Sequence, residues 1–241
     1  MRTPWKVGFP PVVVHQEREA VTSRWNYALA KKHGDAKQAL RLCDAFHNED
    51  ALGRLHDLTL DIDPAPIVLA PARAPGPAGN ALGRTFARYV AKELGLEVAN
   101  GIFQTNAVKR DQIKSPFFRM LQSPTFDGPV VEGASYLLAD DVLTLGGTLA
   151  SLRGFIESRG GIVVGMTALG EKEGCDAEIA LGQNTLDMLR KADDGTLAAY
   201  VSGRTGFSLE CLTEREGRYL LEQPSVDDIR DGFNRAANGG A

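Results

Sequence analysis

The sequence predicts an α/β protein: a Rossmann-like parallel sheet at the centre, with helical N- and C-terminal additions. Three observations predict it. Between residues 65 and 170, short apolar runs alternate with stretches whose apolar residues recur every three or four positions, as strand–helix units do. Residues 136–149 place two adjacent carboxylates and a glycine-containing turn between an apolar strand and a helix. The two ends of the chain carry helix signals instead. The expected division is a helical N-terminal segment at 1–64, an α/β core at 65–182 and a helical C-terminal extension at 183–241.

The elements follow in order. Residues 12–57 are expected to be mostly helical, with one apolar face starting at Trp25, Ala28, Leu29 and Ala30 and stopping at Gly34. A second face has Ala39, Leu40, Leu42, Cys43 and Phe46. Ile67, Val68, Leu69 and Ala70 make a short buried strand between Pro66 and Pro71. The Pro- and Gly-rich stretch 72–79 is loop. Asn80 is expected to cap a helix with Leu82, Phe86, Val90 and Leu94 on its inner face, closed by Gly95. Residues 98–103 read as the second strand and 104–130 as a long irregular, basic loop. Residues 136–139 are the third strand. Leu149, Leu152, Phe155 and Ile156 line the next helix, and 162–166 form the fourth strand. Ile179, Ala180 and Leu181 read as a short edge strand. Thr213 and Glu216 form a capping box, and Ser225 opens a final helix.

Composition narrows the function. With 43% hydrophobic and 24% charged residues the chain is ordinary for a globular protein. No apolar run approaches a membrane span, and Pro10 and Pro11 interrupt any signal-peptide core, so a cytoplasmic protein is expected. Three widely spaced cysteines fit reduced thiols, and the four histidines form no metal-ligand pattern. A net charge of −4 argues against a general nucleic-acid binder. The charge is uneven, however: residues 73–119 hold eight Lys/Arg against three Asp/Glu.

The chemistry concentrates in residues 136–149. Carboxylates accept hydrogen bonds from a sugar diol, and clustered N–H groups at a helix N-terminus bind phosphate. Asp140 and Asp141 would serve the first role, and Thr144, Leu145, Gly146, Gly147 and Thr148 the second. Neither a P-loop motif nor a dinucleotide-binding glycine motif is present. The order apolar strand, D-D-V-x-T-x-G-x-T, helix resembles the phosphoribosyl diphosphate (PRPP) motif of type I phosphoribosyltransferases. The resemblance covers roughly residues 65–170.

That resemblance implies a pentosyltransferase of nucleotide metabolism that uses PRPP and magnesium to phosphoribosylate a small nitrogenous acceptor, releasing diphosphate. It further implies a homodimer with no membrane or nucleic-acid partner. Asp140 and Asp141 would hold the ribose hydroxyls directly or through magnesium, and residues 144–148 the 5-phosphate. Ala72 and Arg73, in the loop after the first strand, would meet the diphosphate. Lys109 and Arg110 would belong to a closing loop. Two departures matter. The family's diphosphate loop often reads small residue, Arg or Lys, then Gly, whereas Ala74 and Pro75 here separate Arg73 from Gly76. Thr144 stands where the 6-oxopurine salvage branch carries an Asp, which argues against hypoxanthine or guanine and leaves orotate, adenine or amide-type acceptors open. The motif also resembles that of competence-associated phosphoribosyltransferase-like proteins. The alternative is a catalytically inactive PRPP- or nucleotide-binding regulatory or interaction protein of the same fold.

Overall fold

The computed structural model describes residues 2–73, 79–106 and 115–238, apart from the side chains of residues 193 and 194. The chain opens with β1 (Val13–Glu17), then four helices, α1 (Arg18–Thr22), α2 (Trp25–Lys32), α3 (Ala36–Ala45) and α4 (Glu49–Thr59). Next come β2 (Ile67–Leu69), α5 (Leu82–Leu94), β3 (Glu97–Val98), β4 (Phe103–Gln104), α6 (Pro116–Leu121) and β5 (Phe126–Asp127). β6 (Ser135–Val142), α7 (Gly147–Glu157) and β7 (Ile162–Glu171) complete the α/β part. Four helices follow: α8 (Gln183–Lys191), α9 (Thr196–Thr205), α10 (Glu214–Leu221) and α11 (Val226–Ala237).

The main sheet has the order β1-β7-β6-β2-β3, and every neighbouring pair is parallel. Its strands alternate two apolar faces, as a sheet covered on both sides requires. Val68, Leu137 and Ala139 pack with Leu42, Leu55, Phe86 and Val90 from α3, α4 and α5. Leu69, Tyr136 and Leu138 pack on the other side with Leu149, Leu152 and Ile156 of α7. A third cluster joins Leu186, Val201, Leu220 and Phe233 of the C-terminal helices to Phe117 and Met120 of α6. The α/β parallel sheet with helical additions is therefore the fold class the sequence predicts. Among the described residues no helix is long and apolar enough to cross a membrane.

Five local expectations need correction. Residues 13–17 are not helical: they form edge strand β1, pairing with β7 through Val13–Thr167 and Val14–Ala168. A run of three valines is β-branched and favours a pleated surface, and β7 offers the open edge. The expected strand 98–103 breaks into β3 and β4 around Gly101, where φ is +90°. The expected loop 104–130 contains helix α6, with Ser115 as N-cap and Pro116 in its first turn, and β4 and β5 form a separate two-stranded sheet. Residues 179–181 make no strand, only an isolated bridge between Ala180 and Thr213. Finally, Ala81 rather than Asn80 occupies the cap position of α5, although the Asn80 side chain still accepts a hydrogen bond from Leu82 N–H at 2.9 Å.

Other local signals act as expected. Gly95 closes α5 in the left-handed region at φ +68°. Thr213 and Glu216 form the capping box of α10, and the Ser225 hydroxyl caps α11.

Candidate functional site

The strand order reverses direction between β2 and β6, because β2 leads outward to β3 while β6 leads to β7 on the opposite side. Loops leaving these two neighbours diverge and open a crevice at their C-terminal ends, where ligands of open α/β sheets bind. The loop after β2 carries Ala72 and Arg73, and the loop after β6 carries residues 143–146.

Asp140 and Asp141 do not follow the strand but lie inside it, since β6 runs on to Val142 and pairs with β7 through Asp140–Ala168 and Val142–Gly170. Strand alternation therefore turns the two carboxylates to opposite sides. Asp140 is half-buried and lines a small pocket with Thr144, Leu145, Gly146, Gly147 and Thr148. Asp141 is 2% exposed, and its carboxylate is engaged by its own fold. Its Oδ2 accepts from Lys31 Nζ and Asn80 Nδ2, each at 2.5 Å, and its Oδ1 accepts from Val142 N–H at 2.7 Å. Burial opposes the charge of Lys31, but Asp141, Tyr27 and Asp140 outweigh it and hold the ammonium above its ordinary pKa.

The turn from β6 into α7 depends on Gly146. Its φ is +80°, a region costly for residues with a Cβ, and a Cβ there would meet Ile179 and Thr213 at 3.1 to 3.3 Å. The left-handed residue lets the chain double back, so the first N–H groups of α7 border the pocket. C-terminal residues hold the outward carbonyls of this loop. Thr213 Oγ1 donates to Leu145 O at 2.5 Å, and Arg215 donates to Thr144 O at 2.8 Å and also pairs with the buried Glu171. Burial pushes the Glu171 carboxyl up, but the Glu173 N–H and the Arg215 guanidinium outweigh it and hold its pKa below the ordinary value.

The sequence reading missed Arg119. It lies on α6, lines the same pocket, and donates to the Thr144 hydroxyl at 3.1 Å. Burial and then the nearby charge of Arg18 push its pKa down. Only the location of 119 within the basic middle of the sequence hinted at it. Lys31 and Arg215 were equally illegible, as they reach Asp141 and the Thr144 carbonyl from distant helices.

The remaining candidates sit as follows. Ala72 O accepts from Gln104 N–H at 2.7 Å, and Arg73 forms a backbone bridge with Gln104 while its side chain is exposed. Ala72 lines a different cavity, of about 160 Å³, with Arg84, Arg88, Asn100 and Phe103. Lys109 and Arg110 lie outside the described residues. The structure thus brings together Asp140 and residues 144–148 around one pocket, while Ala72 and Arg73 lie in the loop after β2 and do not line it.

Comparisons with known proteins place these features in context. No family model matches the chain. It is 34% identical over 237 residues to Protein TraN of Escherichia coli, covering 98% of this chain and 52% of that protein. It is 32% identical over 157 residues to an uncharacterized protein of Haemophilus influenzae, covering 65% of this chain and 34% of that one. The chain therefore spans about half the length of the first relative and a third of the second. Among solved structures it is similar to an adenine phosphoribosyltransferase of Leishmania tarentolae, at 15% identity and TM-score 0.33 over 72% of this chain and 96% of that one. It is also similar to an orotate phosphoribosyltransferase of Aeropyrum pernix, at 18% identity and TM-score 0.28 over 54% and 64%. Superpositions this loose carry no functional weight.

Proposed function

We propose that the crevice binds a 5-phosphorylated ribose, with PRPP as the ligand, and that the protein transfers its phosphoribosyl group to a small nitrogenous acceptor. One observation carries this reading: a half-buried carboxylate, Asp140, and the N-terminal turn of α7 share one pocket with the Arg119 guanidinium. A carboxylate suits a diol, and N–H groups with a guanidinium suit a phosphate.

In this reading Asp140 orients the ribose hydroxyls while residues 144–148 and Arg119 hold the 5-phosphate. The acceptor displaces diphosphate at C1 through a loose, cation-like transition state, so positioning and charge stabilisation supply most of the rate. Arg73, in the loop after β2, would meet the departing diphosphate. Lys109 and Arg110 would close over it.

Magnesium accompanies PRPP in the family that the motif resembles. The acidic pair does not fit it as resident ligands: Asp141 already carries an ammonium and an amide on the same oxygen. Among the described residues no group of three His, Cys, Asp or Glu side chains is assembled for a metal.

A second reading, PRPP or nucleotide binding without transfer, is favoured by the same engagement of Asp141. The two readings are separated by measuring diphosphate release from PRPP with adenine, orotate or an amide as acceptor. Release supports transfer, and binding without release supports the second reading.

Both require the pocket to bind ligand. Calorimetric titration with PRPP in magnesium buffer should show Asp140→Asn and Arg119→Gln each binding roughly ten- to a hundredfold more weakly, the effect of losing a hydrogen bond to a charged group. Wild-type affinity in both variants, or no binding by the wild type, would overturn the site.

A further inference from the structure

Lys31 stands 110 positions before Asp141 in the chain, yet its ammonium contacts the carboxylate directly. Its placement is built in. Lys31 lies in the last turn of α2, and Ala30 O accepts from Ala81 N–H at 3.1 Å, tying that turn to the start of α5. Just beyond α2, Gly34 approaches Gly79 so closely that a Cβ would sit 2.8 Å from its carbonyl oxygen. Asn80, between these two contacts, is gripped at both ends: its Oδ1 accepts from Leu82 N–H and its amide donates to Asp141.

The ammonium is not sealed away. The Lys31 side chain is 28% exposed while that of Asp141 is 3% exposed, so the cation is the solvent-facing member of the pair. A magnesium ion needs oxygen ligands in near-octahedral array and keeps several waters. The Asp141 carboxylate has two donors on one oxygen and a backbone N–H on the other, and a neighbouring ammonium repels a second cation.

We propose that Lys31 supplies, as part of the fold, the positive charge that a divalent metal would otherwise bring to the acidic pair. Ligand binding at Asp140 is then independent of a divalent cation. The inference rests on the reading of the crevice as a phosphoribosyl site and specifies its charge chemistry. Asp141 acts through Lys31, as a positioning residue, and Asp140, whose Oδ1 accepts from Asp141 N–H at 2.8 Å, is the carboxylate that lines the pocket.

Two measurements test it. Calorimetric titration of the full chain with PRPP should give equal affinity in magnesium buffer and in excess EDTA. Manganese added to the ligand-free protein should remain fully free by electron paramagnetic resonance. Lys31→Met should bind PRPP roughly tenfold or more weakly in EDTA, recover part of the loss with magnesium, and bind manganese, lowering the free-manganese signal. Lys31→Arg should retain metal-independent binding. PRPP binding by the wild type only with magnesium, or a protein-bound manganese ion in the wild type, would overturn the role of Lys31 and leave the phosphoribosyl reading standing. No PRPP binding under either condition would overturn both. The wild-type measurements decide the matter even where Lys31→Met fails to fold.

Discussion

Exchange of Glu216 for Ala is expected to lower the unfolding free energy by about 3–5 kcal/mol, the cost of stranding one partner of a buried ion pair. Glu216 and Arg2 are each about 1% exposed at their side chains and pair at 2.5 Å. The same carboxylate accepts from Thr213 N–H at 3.0 Å, so the side-chain half of the capping box of α10 would be lost as well, while the backbone N–H of residue 216 can still donate to the Thr213 hydroxyl. Arg2 would keep hydrogen bonds to Ser151 and Ser123, each at 3.3 Å, and its stack over the Phe207 ring at 4.3 Å. The loss should reach the crevice, because Thr213 and Arg215 hold the carbonyls of Leu145 and Thr144. Urea denaturation followed by circular dichroism measures the effect. Arg54→Ala is the control: its pair with Asp176 at 3.0 Å is largely solvent-exposed on both sides, and such pairs are worth about 0–1 kcal/mol. A Glu216→Ala effect no larger than the control would refute the assignment. Replacing both partners by apolar residues, Arg2→Met with Glu216→Leu, should recover much of the loss.

Acid should destabilise the fold through His15 before most carboxylates titrate. His15 is 3% exposed, lies on β1, and stacks edge-on against Phe86 at 5.1 Å. Neither ring nitrogen has a hydrogen-bond partner among the described residues. Burial first, then the charges of Arg54 and His47, lower its pKa from 6.5 to about 4, against the opposing pull of Asp176. The imidazole is thus neutral in the fold, whereas in the unfolded chain it takes up a proton below about pH 6.5. Stability from this group is complete above that pH, falls as pH drops toward 4, and levels off below it. A shift of that size corresponds to about 3 kcal/mol. Urea midpoints measured from pH 7 to pH 4 should fall steeply in the wild type and more gently in His15→Met. Parallel slopes would show that other groups dominate the acid response.

How much of this was legible beforehand depends on the range of the interaction. Residues 136–149 contain their own strand, turn and helix start, and the structure returns β6, the left-handed Gly146 and α7 in that order. The capping box at Thr213 and the left-handed stop at Gly95 were readable for the same reason: each is a hydrogen-bond or backbone preference settled within a few residues. The parallel sheet followed from the alternation of short apolar runs with amphipathic stretches.

Long-range placement was not readable. β1 became a strand because β7 had an open edge to pair with, which a helical reading of residues 12–57 could not reveal. Asp141 was read as a ligand contact, yet the fold gives its carboxylate to Lys31 and Asn80, brought from α2 and from the start of α5. Arg119 reached Thr144 because Phe117, two residues earlier on α6, anchors against Phe233 and Tyr219 at about 5 Å between ring centres. Periodicity records which side of an element is apolar and hence buried. It carries no information on which charged side chain from a distant element will arrive at the polar edge, because that choice is made by packing across the whole chain.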